Sequence, residues 1–380
     1  MKKLLLILLA GLAIGCAKEE SHSFKYTDDA GRQPLSVDVT AAAFSPDGKT
    51  LLLGHKITGG SRNSRPPFDE LLVLRDVATG KKVRVFFGHK DWVTAVFFVP
   101  DGKRAVTASL EGTIKVWDVG TGKEIRTIIP YEKGGGIRVA LSVALSADAK
   151  YVLSKGSEND GKEFCIRLKL WDVDSGKLVR AFERFRGDVE SVAFAPNDKL
   201  AISGGDPSND NNLHLWDVEA GKAIHMFHGT GDMTWAGTFA PDGKYLLSAR
   251  RRNQWPTDGV HLVLWEISNR KETRVLDGHN GSILAAFFTP DGDKVLSCGT
   301  EGTLKLWHLI SGQEIWSAAF PTRNTASPKG RNHPCTPRVF AVSPDGKLGF
   351  TESYDAPGGR LDLWDLVNGK LLRPLIPSQQ

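Results

Sequence analysis

Three short constellations in this 380-residue chain carry residue types that could do chemistry. Gly120-Thr121-Gly122-Lys123 ends like a loop that cradles phosphate between backbone amides and a lysine. Asp206, Ser208, Asp210 and Asn212 set oxygen ligands at alternate positions, as a calcium loop does. His225, His228 and Asp232 offer nitrogen and carboxylate ligands to a metal. Each weakens against its surroundings. The first returns as Thr79-Gly80-Lys81, Ser175-Gly176-Lys177, Ala220-Gly221-Lys222, Ser311-Gly312-Gln313 and Asn368-Gly369-Lys370, with no helix after it, so it reads as a hairpin turn. The second lacks the Gly at position six and the Glu at position twelve that a calcium loop needs. The third straddles a strand end and a loop. Spacing assigns no Ser, His and Asp arrangement, and the sequence reads as non-enzymatic, with no cofactor and no metal.

The elements that hold these residues repeat seven times. Each copy has an apolar run, a turn such as Ser45-Pro46-Asp47-Gly48-Lys49, a second apolar run, and a pair resembling Trp-Asp. The pairs are Arg75-Asp76, Trp117-Asp118, Trp171-Asp172, Trp216-Asp217, Trp265-Glu266, Trp307-His308 and Trp364-Asp365, spaced by 42 to 57 residues. Only Asn269-Arg270, in the fifth copy, lacks the Gly of the following turn. The runs between turns are four to six residues long and rich in β-branched residues, which are strand lengths and strand compositions. Four strands per copy at this period predict an all-β chain folded as a seven-bladed β-propeller of four-stranded antiparallel blades.

These residues resemble the WD40 (G-beta-like) repeat family over 34–377. The second copy, Gly88-His89 through Trp117-Asp118, has the family's Gly-His opening, Pro-Asp-Gly turn and Trp-Asp close; the sixth, from Gly278-His279 to Trp307, is nearly as full. The resemblance implies a hydrogen-bonded tetrad of His, strand Ser or Thr, turn Asp and Trp. It maps onto His89, Thr107, Glu111 and Trp117, and onto His279, Ser297, Glu301 and Trp307, with Glu where Asp is usual. The other copies lack Gly-His, so packing between blades is expected to carry most of the stability. The last blade is expected to take its fourth strand from 371–376, because Gly369-Lys370 repeats the preceding turn pattern; Ser23 to Tyr26 is the alternative source.

Residues 1–15 lie outside the repeats. Lys2 and Lys3 precede eleven residues, Leu4 to Ile14, without a polar side chain, which reads as an export signal too short to span a bilayer. Leu12-Ala13-Ile14-Gly15-Cys16 resembles the bacterial lipobox, which implies a lipid on Cys16, a polar tether over 16–33 and a membrane anchor; a plain cleaved signal is the alternative. Loss of Lys2 and Lys3 lowers the formal charge from +5 to +3, too little to imply nucleic acid. Cys165, Cys298 and Cys335 remain, an odd number in different copies, and read as buried thiols rather than a disulfide framework.

Differences between copies point to a binding face. The turns joining strands one and two are uniformly tight, whereas the opposite face is expected to carry the insertions 55–68, 155–163, 204–212, 250–259 and 321–337. Several are basic: Arg62 and Arg65; Arg250, Arg251 and Arg252 with Trp255; Arg323, Lys329, Arg331 and His333. Aligning the first strands on the turn proline places Asp38, Thr40, Trp92, Thr94, Asp188, Glu190, Met233, Trp235, Ser282, Leu284 and Arg338 at the channel mouth on that face. Trp92 and Trp235 read either as interface anchors or as packing between blades. The sequence-level reading is a non-catalytic protein-binding scaffold, exported and lipid-anchored at the cell envelope, with protein or peptide partners on the insertion face. An exported propeller enzyme using Asp38, Asp188 and Glu190, and a structural subunit of an envelope assembly, are the alternatives.

Overall fold

The computed structural model describes residues 36–58, 70–130, 142–159, 164–184, 189, 191–204, 212–228, 234–251, 260–320, 340–353 and 360–375. Among them, twenty-eight strands form seven sheets of four, each in chain order and antiparallel, the blades of a seven-bladed β-propeller. Blades one to seven span 36–85, 93–128, 143–181, 191–228, 234–276, 283–319 and 340–374. Burial follows radius. Of the first strand Val93–Phe98 only Thr94 escapes burial, because inner strands are covered on both faces. The fourth strand Lys82–Val85 starts exposed and becomes half-buried, as an outer edge should.

The core is a series of joints. Trp117 of blade two is buried with Leu52, Leu72, Leu74 and Phe86 of blade one. Phe86 meets its ring edge-on, centroids 5.7 Å apart at 75°. The same contact returns as Phe182 on Trp216 and Phe320 on Trp364. Each Trp therefore plugs the preceding blade, and its indole N–H donates inward to a buried hydroxyl of its own blade, as Trp216 does to Ser203 (2.9 Å) and Trp364 to Thr351 (2.8 Å). Blade one has Arg75 and the buried Leu53 at the corresponding positions. The Asp after Trp117, Trp171, Trp216 and Trp364 caps the next turn: Asp118 accepts from the Thr121 amide (2.6 Å) and hydroxyl (2.8 Å), and those bonds hold its carboxyl below the usual range.

An arginine staples most joints. Arg84 of blade one donates to the carbonyls of Val119 (3.0 Å) and Gly120 in blade two, and its Cδ stands 2.8 Å from where a Cβ on Gly122 would lie. Arg126 over Gly176 and Arg274 over Gly312 repeat the arrangement, donating to Ser175 and Ser311. Glycine at this turn thus supplies both a positive φ and room for the neighbour's side chain. Blade four carries His225 at the staple position, and the turn it faces in blade five holds Arg270 at φ 61°.

On the tight-turn face the prolines other than Pro100 pack on the next blade's turn glycine, as Pro46 does on Gly102 and Pro241 on Gly292, while the turn that follows Pro100 around the ring has Ala149 at φ 57° in that place. Blade three has Ala147 instead. Its amide is free to donate, and Asp198 of blade four, at φ 58° in glycine's place, accepts from Ala147 (2.7 Å) and Asp148 (3.2 Å).

The last blade takes its fourth strand from Lys370–Pro374. One cluster joins Val39, Phe44 and Leu51 of blade one to Phe350, Leu363 and Leu375 of the seventh. Across the closure the Val39 amide donates to Glu352 (2.8 Å), and Arg373 donates to the carbonyls of Val77 (2.6 Å) and Ala78 (2.8 Å).

The insertions differ from the sequence expectation in their starts. In blade one strand two is Thr50–Thr58, so 55–58 is strand paired with Ser36–Val39. In blade three Tyr151–Asn159 pairs with Phe164–Asp172 as far as Asn159 opposite Phe164, so 155–159 of the expected insertion is strand. In blade five Arg250 and Arg251 continue strand two opposite His261 and Val260. Alternating residues with a partner strand at hand extend a ladder rather than loop out.

Candidate binding face

The insertion face is built from the entry ends of the first strands. In blades one, two and six a β-bulge falls there, skipping Thr40, Thr94 and Leu284 in the ladder. A bulge re-aims one side chain at the end of a strand. Thr40 donates to the Val93 carbonyl of the neighbouring blade, and Thr94 reaches the Ala108 carbonyl at 3.4 Å. Both hydroxyls are thus held by backbone. Leu284 packs against the joint between blades six and seven.

Trp92 stands apart from the buried tryptophans. It is half-buried, its amide donates to Asp91 (2.8 Å), and its carbonyl accepts from Leu110 (2.8 Å). The Lys56 ammonium lies 3.9 Å from its ring centroid, a cation–π contact across the joint of blades one and two. Lys56 is paired in the ladder with Asp38, which is itself buried. Sequence reasoning missed Lys56 because it lay inside an expected loop. The alternation of His55-Lys56-Ile57-Thr58 opposite Val37-Asp38-Val39 is the signal that could have found it. His55 beside it is buried, and burial, helped by the Arg75 cation, pushes its imidazole down to about 4.

The two tetrad sets come together. His89 contacts Thr107 through Nε2 (2.7 Å) and Glu111 through Nδ1 (2.7 Å), and Trp117 donates to Thr107 (2.8 Å). His279 contacts Ser297 (2.7 Å) and Glu301, and Trp307 donates to Ser297 (2.8 Å). Burial pushes His89 below its ordinary value against the pull of Glu111. Glu111 is raised by burial, yet the bonds from His89 and Thr113 outweigh this and leave it low. These groups tie turns to strands inside a blade.

Trp235, Arg250 and Arg251 lie in strands of blade five, Trp235 opposite Ala249 and Arg250 opposite Thr234. Cys16, Asp188, Glu190, Met233, Arg252, Trp255 and Arg338 lie outside the described residues, as do Asp206, Ser208, Asp210, Asp232 and Cys335. Cys298 is buried and free, its thiol pushed up to about 12 by burial. Gly120-Thr121-Gly122-Lys123 is a hairpin turn, closed by the Gly122 amide on Asp118 (2.8 Å). Among the described residues no group of three His, Cys, Asp or Glu could hold a metal, and no helix is long and apolar enough to cross a membrane.

Residues 80–118, 176–217 and 270–308 match the family model for the WD domain, G-beta repeat. Each match starts at the outer turn of one blade and ends at the Trp-Asp-like pair of the next, so the sequence repeat straddles a joint. A guanine nucleotide-binding protein subunit beta of Oryza sativa subsp. indica is 27% identical over 44% of this chain and 42% of its own length. A U3 snoRNP-associated protein-like protein of Oryza sativa subsp. japonica is 31% identical over 28% of this chain and 22% of its own. Pre-mRNA-processing factor 19 of the latter is 29% identical over 46% and 31%. The chain spans less than half the length of these curated relatives.

Proposed function

From a ring of blades that carries WD40 repeats, we propose a non-catalytic protein-binding scaffold displayed at a bacterial cell envelope, anchored by a lipid on Cys16 and engaging protein or peptide partners on the insertion face. The observation that carries the reading is the asymmetry between the two ends of the ring. One end is a set of near-identical prolyl turns packed on one another, while the other bears lengthened hairpins and the half-buried Trp92 under Lys56. A surface repeated sevenfold offers little to discriminate partners, whereas irregular loops on a rigid frame do. Two of the relatives bear names that describe parts of assemblies, a subunit and a snoRNP-associated protein.

The test is capture of partners by the protein from its native envelope, identified by mass spectrometry and repeated with variants. Trp92→Ala and Arg338→Ala are each expected to weaken capture by more than about 1 kcal/mol with the melting temperature nearly unchanged. Changes at Asp101 and Asp242, on the tight-turn face, serve as controls. Loss of capture from the controls alone would move the site to the other face. Cys16→Ser is expected to release the protein from the membrane fraction.

A further inference from the structure

The outer strand of each blade leaves one edge without a neighbouring strand among the described residues. Six of these strands carry a lysine or arginine, charges that discourage a further strand from adding to an edge. Arginine stands inside five of them, as Arg84 and Arg274 do, Lys222 opens that of blade four, and blade seven also ends on Pro374, which has no amide to offer. The outer strand of blade six, Glu314–Ala319, has no lysine, arginine or proline. Trp316 takes the staple position there, its ring against Gly369 of blade seven, and the single charge, Glu314, is bonded to Lys305 of its own blade (2.6 Å). The strand ends on three small residues, Ser317, Ala318 and Ala319. The Phe320 amide donates inward to Gly302 (2.9 Å), so alternation along an antiparallel strand turns the amides and carbonyls of Ser317 and Ala319 outward. Both residues are exposed.

We propose that this edge pairs with the same edge of a second copy of the chain, antiparallel about a two-fold axis at Ala318. In that register Ser317 of each copy faces Ala319 of the other, and each such pair exchanges both N–H···O bonds, so the outward groups of both residues are satisfied. Ala318 meets its own copy, where the strands approach most closely and a methyl group fits. A two-fold contact sets a patch against itself, so a cation on the edge meets its like; the outer strand of blade six is the described one where none does. An unrelated strand has no such built-in match. The contact lies on the outer rim and leaves both insertion faces uncovered, so it does not depend on what that face binds.

The test is analytical ultracentrifugation of the full chain in density-matched detergent at about 1–100 μM, where a monomer–dimer equilibrium is expected. Ser317→Lys sets two like charges beside the axis, and Ser317→Pro removes an outward amide that the blade itself does not use. Each is expected to raise the dissociation constant at least about tenfold at unchanged melting temperature. Ser317→Lys combined with Ala319→Glu places opposite charges across the axis and is expected to restore the dimer. A mixture of Ser317→Cys and Ala319→Cys chains is expected to form a disulfide-linked dimer on mild oxidation, because paired Cα atoms about 5.5 Å apart lie within disulfide range. Val275→Cys mixed with Asp277→Cys, the matching positions of blade five, is expected to form none. A monomer throughout that range, or a dimer that both Ser317 variants leave intact, overturns the proposal. If the chain is monomeric and Ser317→Pro instead abolishes partner capture, the edge takes a strand from a different protein and the two-fold pairing is rejected.

Discussion

The staple between blades makes a quantitative demand on Gly122. Its φ of +76° lies in the left-handed region, where a side chain costs about 1–2 kcal/mol. An added Cβ would also meet Arg84 Cδ at 2.8 Å and push the guanidinium off the carbonyls of Val119 and Gly120, adding about 1–2 kcal/mol. Gly122→Ala is therefore expected to cost about 2–4 kcal/mol. With an unfolding entropy of about 2.1 cal/mol/K per residue over roughly 340 residues, that lowers the melting temperature by about 3–6 °C if the ring unfolds as one unit. Arg84→Ala alone loses only the two hydrogen bonds, about 1–2 kcal/mol. Because Gly122→Ala already displaces Arg84, the double variant is expected to cost no more than Gly122→Ala alone. The assay is equilibrium urea unfolding of the four proteins followed by tryptophan fluorescence. Strictly additive costs would refute the staple, since additivity means that the two positions do not interact.

Three further outcomes follow from other joints. His55 has an ordinary value of 6.5 and a folded value of about 4, so the unfolded chain takes up a proton first; its contribution is complete above pH 6.5 and falls by about 2 kcal/mol by pH 5, and the unfolding free energy of His55→Gln should vary less over that interval. Deleting 370–380 removes the fourth strand of blade seven and the Arg373 contacts to blade one, and is expected to abolish a single cooperative transition in calorimetry; an unchanged transition would show that the ring closes without them. Asp198→Ala leaves the Ala147 and Asp148 amides without their carboxylate and is expected to cost about 1–3 kcal/mol, whereas Asp198→Gly combined with Ala147→Pro restores the pattern of the other joints and should recover most of it in the same unfolding assay.

The sequence alone determined what depends on near neighbours. Strand period, turn residues and the Trp-Asp-like spacing fixed four strands per copy and seven blades, because a hairpin turn is closed by residues only a few positions apart, as Asp118 and Thr121 are. The repetition also made the C-terminal strand the expected closure, and Lys370–Pro374 fills that place. What acts across a joint was left to the tertiary structure. Lys56 meets Trp92 thirty-six positions away, and Arg84 reaches Gly120 at the same separation. Nothing in either local segment names its partner, since the meeting depends on how two rigid sheets lean together. The tetrads show both sides: the family pattern supplied the four positions, but only the packed hairpin shows that the longer Glu111 side chain bonds His89 and Thr113 together. Along the first strand of each blade, alternation gives the face toward a neighbour, while a bulge at Thr40, Thr94 or Leu284 decides what that side chain meets, the Val93 carbonyl of the next blade for Thr40 and the joint of blades six and seven for Leu284. That choice is made by the fit of one blade against the next.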